Sequence, residues 1–313
     1  MRKHIICVIL AAVCWGCIGL VTRPLGDLGL SSMQITIVRM ICTTIFMGGF
    51  LLIKDKSLFK ISTASLPVFL IAGANFFGLT FFYLSAIREN NSAPVAAMLL
   101  YTNPVWLTLF SRMLFKERVS PLKILSLGGA MAGCALLLLT QELSVSPLGI
   151  LYGLLAGLSQ ALYSVFGKLL SKNNRAETNT FYTFLFSTLV ALTFIDIAQV
   201  SSVAQKHLPA SLSLFSVLVI GLTILPYTVY IIGIKKVPVS VAGLLCILEP
   251  VVASVAGICF FGDPINTWGV LGIAIVVVSL LLIEFDNKIT IPKHHSRDSL
   301  VTEGVVANKQ QTD

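Results

Sequence analysis

Charged residues are scarce in this 313-residue chain. Lys, Arg, Asp and Glu together make up 12% of the sequence, whereas a soluble domain carries about 25%. The sequence has no H-E-x-x-H motif, no G-x-x-x-x-G-K-[ST] loop and no Cys/His cluster with the spacing of metal ligands. These absences argue against a zinc hydrolase and an ATP-driven machine. We therefore expect no cofactor and no bound metal.

Long apolar runs fill most of the sequence, which is 56% hydrophobic. There are ten of them, each near the length of about 20 residues that crosses a bilayer: 5–22, 33–53, 66–87, 93–112, 122–139, 148–170, 180–200, 211–234, 239–261 and 265–285. The sequence therefore predicts an all-α integral membrane protein with ten transmembrane helices. The polar residues 286–313 are predicted to form a disordered cytoplasmic tail.

The net charge of +8 follows the predicted topology. If the N-terminus is cytoplasmic, most Lys and Arg residues fall in cytoplasmic segments, and only Arg23, Arg88 and Lys206 fall in outer loops. Cations collect on the cytoplasmic side because translocating them is unfavourable. The pattern predicts that both termini are cytoplasmic. It also argues against nucleic-acid binding, which a basic soluble protein would suggest.

Ionisable groups are almost absent from the interiors of the apolar runs. All four histidines lie outside the runs, and only Arg39 and Glu249 lie well inside them. An intramembrane lipid transferase or protease would need paired carboxylates, or His with Ser or Cys, at one depth. The sequence therefore predicts that the protein is not an enzyme.

The two halves of the chain repeat each other. Residues 15–23 align with 160–168 at an offset of 145, and residues 95–117 align with 241–263 at an offset of 146. Each unit holds five predicted helices, an odd number, so the second unit must enter the membrane from the opposite face. We therefore predict two inverted five-helix repeats, 1–143 and 144–285. This architecture is typical of secondary transporters that bind a substrate between their halves.

Two prolines stand at equivalent places in the units. Pro104 and Pro250 each remove one helix hydrogen bond, which leaves the carbonyl oxygens of Leu100 and Cys246 without their usual donor. A kinked packing helix is the ordinary interpretation, since membrane helices tolerate proline. The matching positions favour a hinge or a cavity wall.

Polar and aromatic residues inside the runs form the candidate substrate site. Glu249 could take up a proton, hold an ammonium group or serve as a structural carboxylate, so protons are a candidate coupling ion. Arg39 could bind a substrate carboxylate or extend to the membrane surface. The other candidates are side chains that membrane helices seldom bury without a cavity or a cross-helix partner: Trp15, Asn75, Tyr83, Tyr101, Asn103, Gln160, Tyr163, Tyr227 and Tyr230. Together they suit an amphipathic small molecule.

Short motifs recur in order along the chain. They are Trp15-Gly16, Arg39, Asn103-Pro104 with Phe115-Lys116-Glu117, and Leu248-Glu249-Pro250-Val251 with Phe261-Gly262-Asp263. In this set the chain resembles the drug/metabolite transporter superfamily, in particular its ten-span EamA-type members. The resemblance covers residues 5–285 and implies inverted repeats and export of amino acids, metabolites or drugs across the bacterial inner membrane. Asp263 replaces the usual Glu, and Gln160 stands where a Trp is common, which could alter the cavity.

The sequence thus predicts a secondary transporter that exports small organic solutes by alternating access. A nucleotide-sugar or organophosphate exchanger is an alternative, although such anions favour two or more cations deep in the spans. An intramembrane enzyme and a channel are alternatives from other classes. The oligomeric state is not predicted.

Overall fold

The structure is a computed structural model that describes residues 2–90, 92–117, 119–138 and 146–290. Over these ranges the chain is helical and has no β-strand. Short 3-10 helices lie at Lys56–Phe59 and Leu192–Phe194. Helices α1 to α11 are, in order, Arg2–Asp27, Ser32–Lys54, Leu66–Asn90, Ala93–Phe115, Pro121–Leu138, Pro147–Leu170, Ala176–Ala191, Ile197–Lys206, Leu208–Ile234, Val239–Phe261 and Thr267–Thr290.

Seven of these helices are long and apolar enough to cross a membrane, namely α1, α2, α3, α4, α6, α9 and α10. Ala176–Phe194 and Ile197–Val203 pass the same test together, but they are bent by 99°, so the candidate spans number seven or eight. Helices α5 and α11 contain the shorter apolar segments Pro121–Leu136 and Thr267–Leu282. The described residues therefore establish a multi-span helical membrane protein, with fewer clear crossings than the ten predicted.

The run predicted as one span at 180–200 is bent. Ile195 is extended, with ψ of 132°, and the Asp196 side chain accepts a hydrogen bond from the Gln199 amide at 3.1 Å. An acidic N-cap satisfies an amide that has no partner within the helix, so it starts the new helix α8. At the other end of the chain, α11 continues into the predicted tail as far as Thr290. The remainder of that tail, and the predicted boundary between the units at 143, lie outside the described residues.

Three spans are interrupted near the middle of their length. Helix α1 breaks after Gly16, α4 breaks after Leu100 and α10 breaks after Leu245, and each resumes within three residues. The breaks in α4 and α10 immediately precede Pro104 and Pro250, whose nitrogens cannot donate to the preceding turn. Helix α9 contains a π-helical stretch, Val217–Ile224. The hinge role of the two prolines stays a prediction.

Glycines allow close helix crossings around these breaks. A Cβ atom on Gly16 of α1 would lie 2.7 Å from the carbonyl oxygen of Glu249 in α10. On Gly157 of α6 it would lie 3.0 Å from the carbonyl oxygen of Leu99 in α4. Membrane helices depend on such small residues because lipid gives no hydrophobic drive for association. Both crossings bring a broken helix against a neighbouring span.

The main core lies where α1, α3, α6, α9 and α10 meet, and it includes the buried rings of Phe76, Tyr163 and Tyr230. Large apolar side chains such as Ile53 and Phe260 lie exposed on the outside of the bundle. An apolar exterior of this kind suits a lipid environment. The polar candidates are therefore held inside a bundle whose outer surface is apolar.

Candidate substrate site

A cavity of about 220 Å³ lies among α1, α2, α3, α4, α6, α9 and α10. Eight of the eleven candidate side chains line it: Trp15, Arg39, Tyr83, Tyr101, Asn103, Gln160, Tyr227 and Glu249. These residues are far apart in the sequence, and the fold brings them to one place. Their role in binding stays a prediction, but their shared location makes this cavity the candidate site.

Three candidates lie outside the cavity wall. Asn75 donates a hydrogen bond to the carbonyl oxygen of Ser159 at 2.9 Å, which ties α3 to α6. The Tyr230 hydroxyl is 2.7 Å from the Ser164 hydroxyl. Tyr163 is buried and stacks on Tyr230 with their ring centroids 6.1 Å apart. In the structure these residues join helices behind the site.

The cavity extends from the middle of the bundle toward one end. Its lining residues in α1 run from Trp15 to Thr22, and those in α2 run from Ile35 to Arg39. These are the second half of α1 and the first half of α2, so they lie between mid-membrane and one face. Arg23 and Asp263 lie at that face, which we call the Arg23 face. The opposite end of the bundle, where Glu117 lies, is called the Glu117 face.

Glu249 lies at the start of the second segment of α10, Leu248–Phe261, next to Pro250. A carboxylate is stabilised there because the first turn of a helix presents unpaired amides and the positive end of the helix dipole. The close approach of Gly16 to the Glu249 backbone holds this turn against α1. The break in α10 thus places one carboxylate near the middle of the span, on the cavity wall.

Arg39 supplies the only cation among the lining residues. It lies in the second turn of α2, which begins after the Ser31–Gln34 capping box. Its Nε atom is buried, and no described residue accepts a hydrogen bond from it. The Trp15 Nε1 atom is in the same state. Two buried donors without acceptors on one wall are unfavourable in an empty site and suit a ligand that carries acceptor oxygens.

Arg39 and Glu249 do not form a salt bridge with each other within the described part of the chain. Both nevertheless line the same cavity. Two opposite charges that share a low-dielectric cavity without pairing can each bind a counter-charge on one ligand. The arrangement matches a solute that carries both an ammonium group and a carboxylate.

Asn103 lines the cavity at the break in α4. Its side-chain amide donates to the carbonyl oxygen of Leu100 at 3.3 Å. In α10 the equivalent carbonyl oxygen, that of Cys246, accepts instead from the Glu249 backbone amide at 3.0 Å. In each repeat, a carbonyl oxygen that has lost its donor to proline finds another donor, but the donor is a side chain in α4 and a backbone amide in α10. The Glu249 side chain is therefore not used for this purpose.

An aromatic cluster forms the floor of the cavity. Tyr227 lies at its centre, with ring centroids 5.0 Å from Trp15, 5.3 Å from Phe76 and 5.2 Å from Phe184. Such edge-on and tilted ring packing is favourable beyond simple area burial. Rings that are packed on several sides are held in place, so Trp15 and Tyr227 present a rigid apolar surface to a ligand.

Part of one cavity wall was not predicted from the sequence. Phe76, Leu79 and Thr80 line the cavity together with Tyr83 and Leu84. These positions follow the i, i+3, i+4, i+7, i+8 spacing of a single helix face. Tyr83 could have identified that face, whereas Asn75 lies one residue off it. The remaining lining residues that were not candidates are Ile18, Thr22, Ile35, Thr36, Leu100 and Cys246.

Known proteins of similar sequence are transporters by name. An uncharacterized transporter of Archaeoglobus fulgidus is 27% identical over 287 residues, which cover 90% of this chain and 96% of that protein. The uncharacterized inner membrane transporter YicL of Salmonella typhimurium is 23% identical over 300 residues, with 92% and 97% covered. The uncharacterized transporter YwfM of Bacillus subtilis is 26% identical over 204 residues, with 64% and 67% covered.

The fold has a counterpart among solved structures. One crystal structure matches with a TM-score of 0.76 and 19% identity, covering 93% of this chain and 100% of that one. The model of the EamA-like transporter family matches twice, at residues 2–139 and 147–285. Together the two matches take in nearly all of the sequence. The chain therefore belongs to the EamA-like transporter family, as its motifs predict.

Proposed function

We propose that this protein is a secondary transporter that exports a small organic solute, an amino acid or a related metabolite, by alternating access. The observation that carries the proposal is that Arg39 and Glu249 line one cavity without pairing. An amino acid offers a carboxylate to the first and an ammonium group to the second. The aromatic floor then contacts the apolar part of the solute.

The size and charge of the cavity support a small solute over a nucleotide sugar or an organophosphate. Its volume of about 220 Å³ is below the range of about 300–1,000 Å³ that holds drug-sized ligands. Its wall contains a single cation, Arg39. A phosphate or diphosphate group would require more positive charge for its desolvation to be offset.

Ten crossings in two inverted repeats are part of the proposal. The seven long spans, the bent pair and the two shorter apolar helices would together provide them. The double match of the family model, at 2–139 and 147–285, supports units close to 1–143 and 144–285. The distribution of Lys and Arg supports cytoplasmic termini. The name of the Salmonella relative supports the bacterial inner membrane.

Glu249 is proposed as the coupling residue, with protons as the ion. A carboxylate inside a membrane cavity is unfavourable when charged and alone, so its charge is best neutralised by a proton or by the ammonium group of the solute. If these two compete for Glu249, a proton gradient drives the solute in the opposite direction.

The test is flux in liposomes that contain the purified protein. A panel of zwitterionic amino acids, amines and carboxylates is offered with and without a pH gradient, and both uptake and counterflow are measured. We expect saturable counterflow of one or more zwitterions, driven by the gradient. Glu249→Gln should abolish the gradient dependence. Glu89→Gln, which changes a carboxylate that pairs with Arg88 away from the cavity, should leave it intact.

Three results would overturn the proposal or one of its parts. Flux that rises linearly with concentration and shows no counterflow would indicate a channel. Binding and gradient-driven flux that persist in Glu249→Gln would show that this carboxylate is not the coupling residue. A preference for phosphorylated solutes would instead support the exchanger alternative.

A further inference from the structure

Two acidic residues occupy equivalent places in the repeats and are held in different ways. Glu117 follows the end of α4, and Asp263 follows the end of α10, at an offset of 146. The cations Arg23 and Lys168, at the ends of α1 and α6, are related in the same manner. If the two repeats were in identical surroundings, Glu117 and Lys168 would make the same contacts as Asp263 and Arg23. They do not.

At the Glu117 face, the carboxylate caps a helix of the other unit. Glu117 accepts hydrogen bonds from the Val239 amide at 2.8 Å and from the amide and hydroxyl of Ser240, at the start of α10. Glu117 also lies 3.9 Å from the Lys123 ammonium group. Lys168 donates to the carbonyl oxygens of Ile234 and Val237, just before that helix. An anion on the helix start and a cation on the preceding carbonyls clamp the α9–α10 connection from both sides.

At the Arg23 face, the equivalent acid also binds a cation, but among the described residues it caps no helix start. Arg23 donates two hydrogen bonds to Asp263, at 2.6 and 3.0 Å, and lies 4.6 Å from the ring centroid of Phe261. The start of α4 is capped by its own Ser92, which accepts from the Val95 amide at 3.4 Å. Asp263 makes none of the contacts to α4 that Glu117 makes to α10 among the described residues.

The starts of α10 and α4 also differ in burial, and the start of α10, which Glu117 caps, is the more buried of the two. Every residue of Val239–Leu245, the first segment of α10, is buried. In the equivalent segment Ala93–Leu100 of α4, only Val95 and Ala96 are buried. At the matching helix starts, Val239 is 0% exposed whereas Ala93 is an exposed residue. The cavity extends toward the Arg23 face, where the less buried start of α4 lies.

We infer that Glu117 and Asp263 are two copies of one latch that close opposite faces of the protein in turn. In the state described here Glu117 holds the start of α10, and its face is closed. In the opposite state Asp263 leaves Arg23 and caps the start of α4, near Ser92 and Ala93, while Glu117 releases α10. The inference rests on the proposed alternating access and assigns this chain's own residues to its two end states.

The test compares two cysteines at repeat-related positions, Ala93→Cys and Val239→Cys. Each is placed in the wild-type, Glu117→Gln and Asp263→Asn backgrounds. The purified protein reacts with a maleimide, and peptide mass spectrometry measures the labelling rate at the new cysteine separately from the seven native ones. In the wild type, Ala93→Cys should react faster by about ten-fold or more, because the other site is closed.

The latch predicts reciprocal changes. Glu117→Gln weakens the capping of α10, so labelling of Val239→Cys should rise by about ten-fold and that of Ala93→Cys should fall. Asp263→Asn removes the acid needed to close the Arg23 face, so Ala93→Cys should react at least as fast as before. If Asp263 only stabilises the present state through Arg23, that rate should fall instead.

Three results would overturn the latch. One is a rise of both labelling rates in Glu117→Gln, which would indicate general loosening. The second is a fall of the Ala93→Cys rate in Asp263→Asn. The third is unchanged labelling of both cysteines in Glu117→Gln. If Glu117→Gln does not fold, as judged by size-exclusion chromatography, Ser240→Ala removes a single bond of the same cap and should shift the rates in the same sense. Solute flux is measured in parallel. Reciprocal labelling without flux would refute the transport proposal alone, and flux with invariant labelling would refute the latch alone.

Discussion

The Asn103 side-chain amide donates a hydrogen bond to the carbonyl oxygen of Leu100 at 3.3 Å. This oxygen is the one that Pro104 cannot serve, because a proline nitrogen has no hydrogen to donate to the residue four positions earlier. The bond stabilises a helix that is broken near the middle of its span, where the backbone has lost one of its usual donors. Asn103 therefore has a structural role as well as a place on the cavity wall.

Replacing Asn103 by Leu should leave this carbonyl oxygen unpaired. We expect the free energy of unfolding to fall by about 1–3 kcal/mol, the usual effect of stranding a buried acceptor. Thermal unfolding in detergent measures the loss, and solute binding should weaken because a cavity wall changes. The matched control is Asn75→Leu, which breaks the bond to Ser159 outside the cavity and should lower stability without changing affinity. Equal affinity loss in both variants would contradict the separation of the two roles.

Much of the candidate site could be predicted from the sequence because few polar residues occur inside the spans. A polar side chain in a membrane helix needs a hydrogen-bond partner or a cavity. Selecting all such residues therefore finds those that line a cavity together with those that bond to a neighbouring helix. The sequence alone could not distinguish the roles of Tyr227 and Tyr230, which are three residues apart. Tyr227 lines the cavity, whereas Tyr230 is hydrogen-bonded to Ser164. That distinction depends on how α9 rotates against α6, and the π-helical stretch in α9 shifts this rotation.

The fold shows the same division between local and long-range information. The apolar runs predicted most spans, because length and hydropathy are local properties. The 99° bend after Phe194 was missed since it depends on one cap, Asp196. The apolar members of the cavity wall, such as Phe76, were missed because nothing local distinguishes them from residues that face lipid or core.

Trp15 and Tyr230 provide a second test, because one has an unused donor and the other does not. Trp15 Nε1 has no acceptor among the described residues, so Trp15→Phe removes no bond within the protein. Trp15 is buried against Tyr227 and Tyr230, so the smaller ring should lower stability by about 1–2 kcal/mol through lost packing alone. Solute binding should weaken by about ten-fold if the solute accepts a hydrogen bond from this donor. Tyr230→Phe breaks the bond to Ser164 and should reduce stability by about 1 kcal/mol.

Binding is measured by isothermal titration and stability by thermal unfolding. Should Trp15→Phe leave the affinity unchanged, the idea that Trp15 reserves its donor for the solute would be wrong. Tyr230→Phe serves as the control for loss of a hydrogen-bonding group in the same aromatic cluster.

The crossing of α1 and α10 gives a third prediction. In Gly16→Ala the new Cβ atom would lie 2.7 Å from the Glu249 carbonyl oxygen and 2.7 Å from Cβ of Val252, so the helices must separate. We expect destabilisation by about 1–3 kcal/mol, the usual cost of overpacking, and loss of solute affinity because Glu249 moves. Gly19→Ala, in the same helix with nothing within 4 Å, is the control and should be neutral or slightly stabilising. Equal tolerance of both variants would contradict this close packing.

The ion pair of Arg23 and Asp263 leads to a prediction about pH. The Arg23 guanidinium, hydrogen-bonded to Asp263, holds the pKa of this carboxyl below its ordinary value of 3.8. A carboxyl whose pKa is lowered in the folded protein contributes stability that is present above its unfolded pKa and is lost as the pH falls through the folded pKa. That loss lies below about pH 4, so the pair stays charged between about pH 5 and about pH 8.

The ratio of solute flux in the wild type to that in Asp263→Asn should therefore stay constant between about pH 5 and about pH 8, even if both fluxes change. Initial rates in liposomes buffered equally on both sides measure the ratio. A constant ratio would mean that any pH dependence of transport comes from another group. Glu249 is the first such group to examine, by measuring the ratio of wild-type flux to Glu249→Gln flux over the same pH range. A ratio that drifts across this range would contradict the prediction that the ionisation of Asp263 plays no part in the pH dependence of transport.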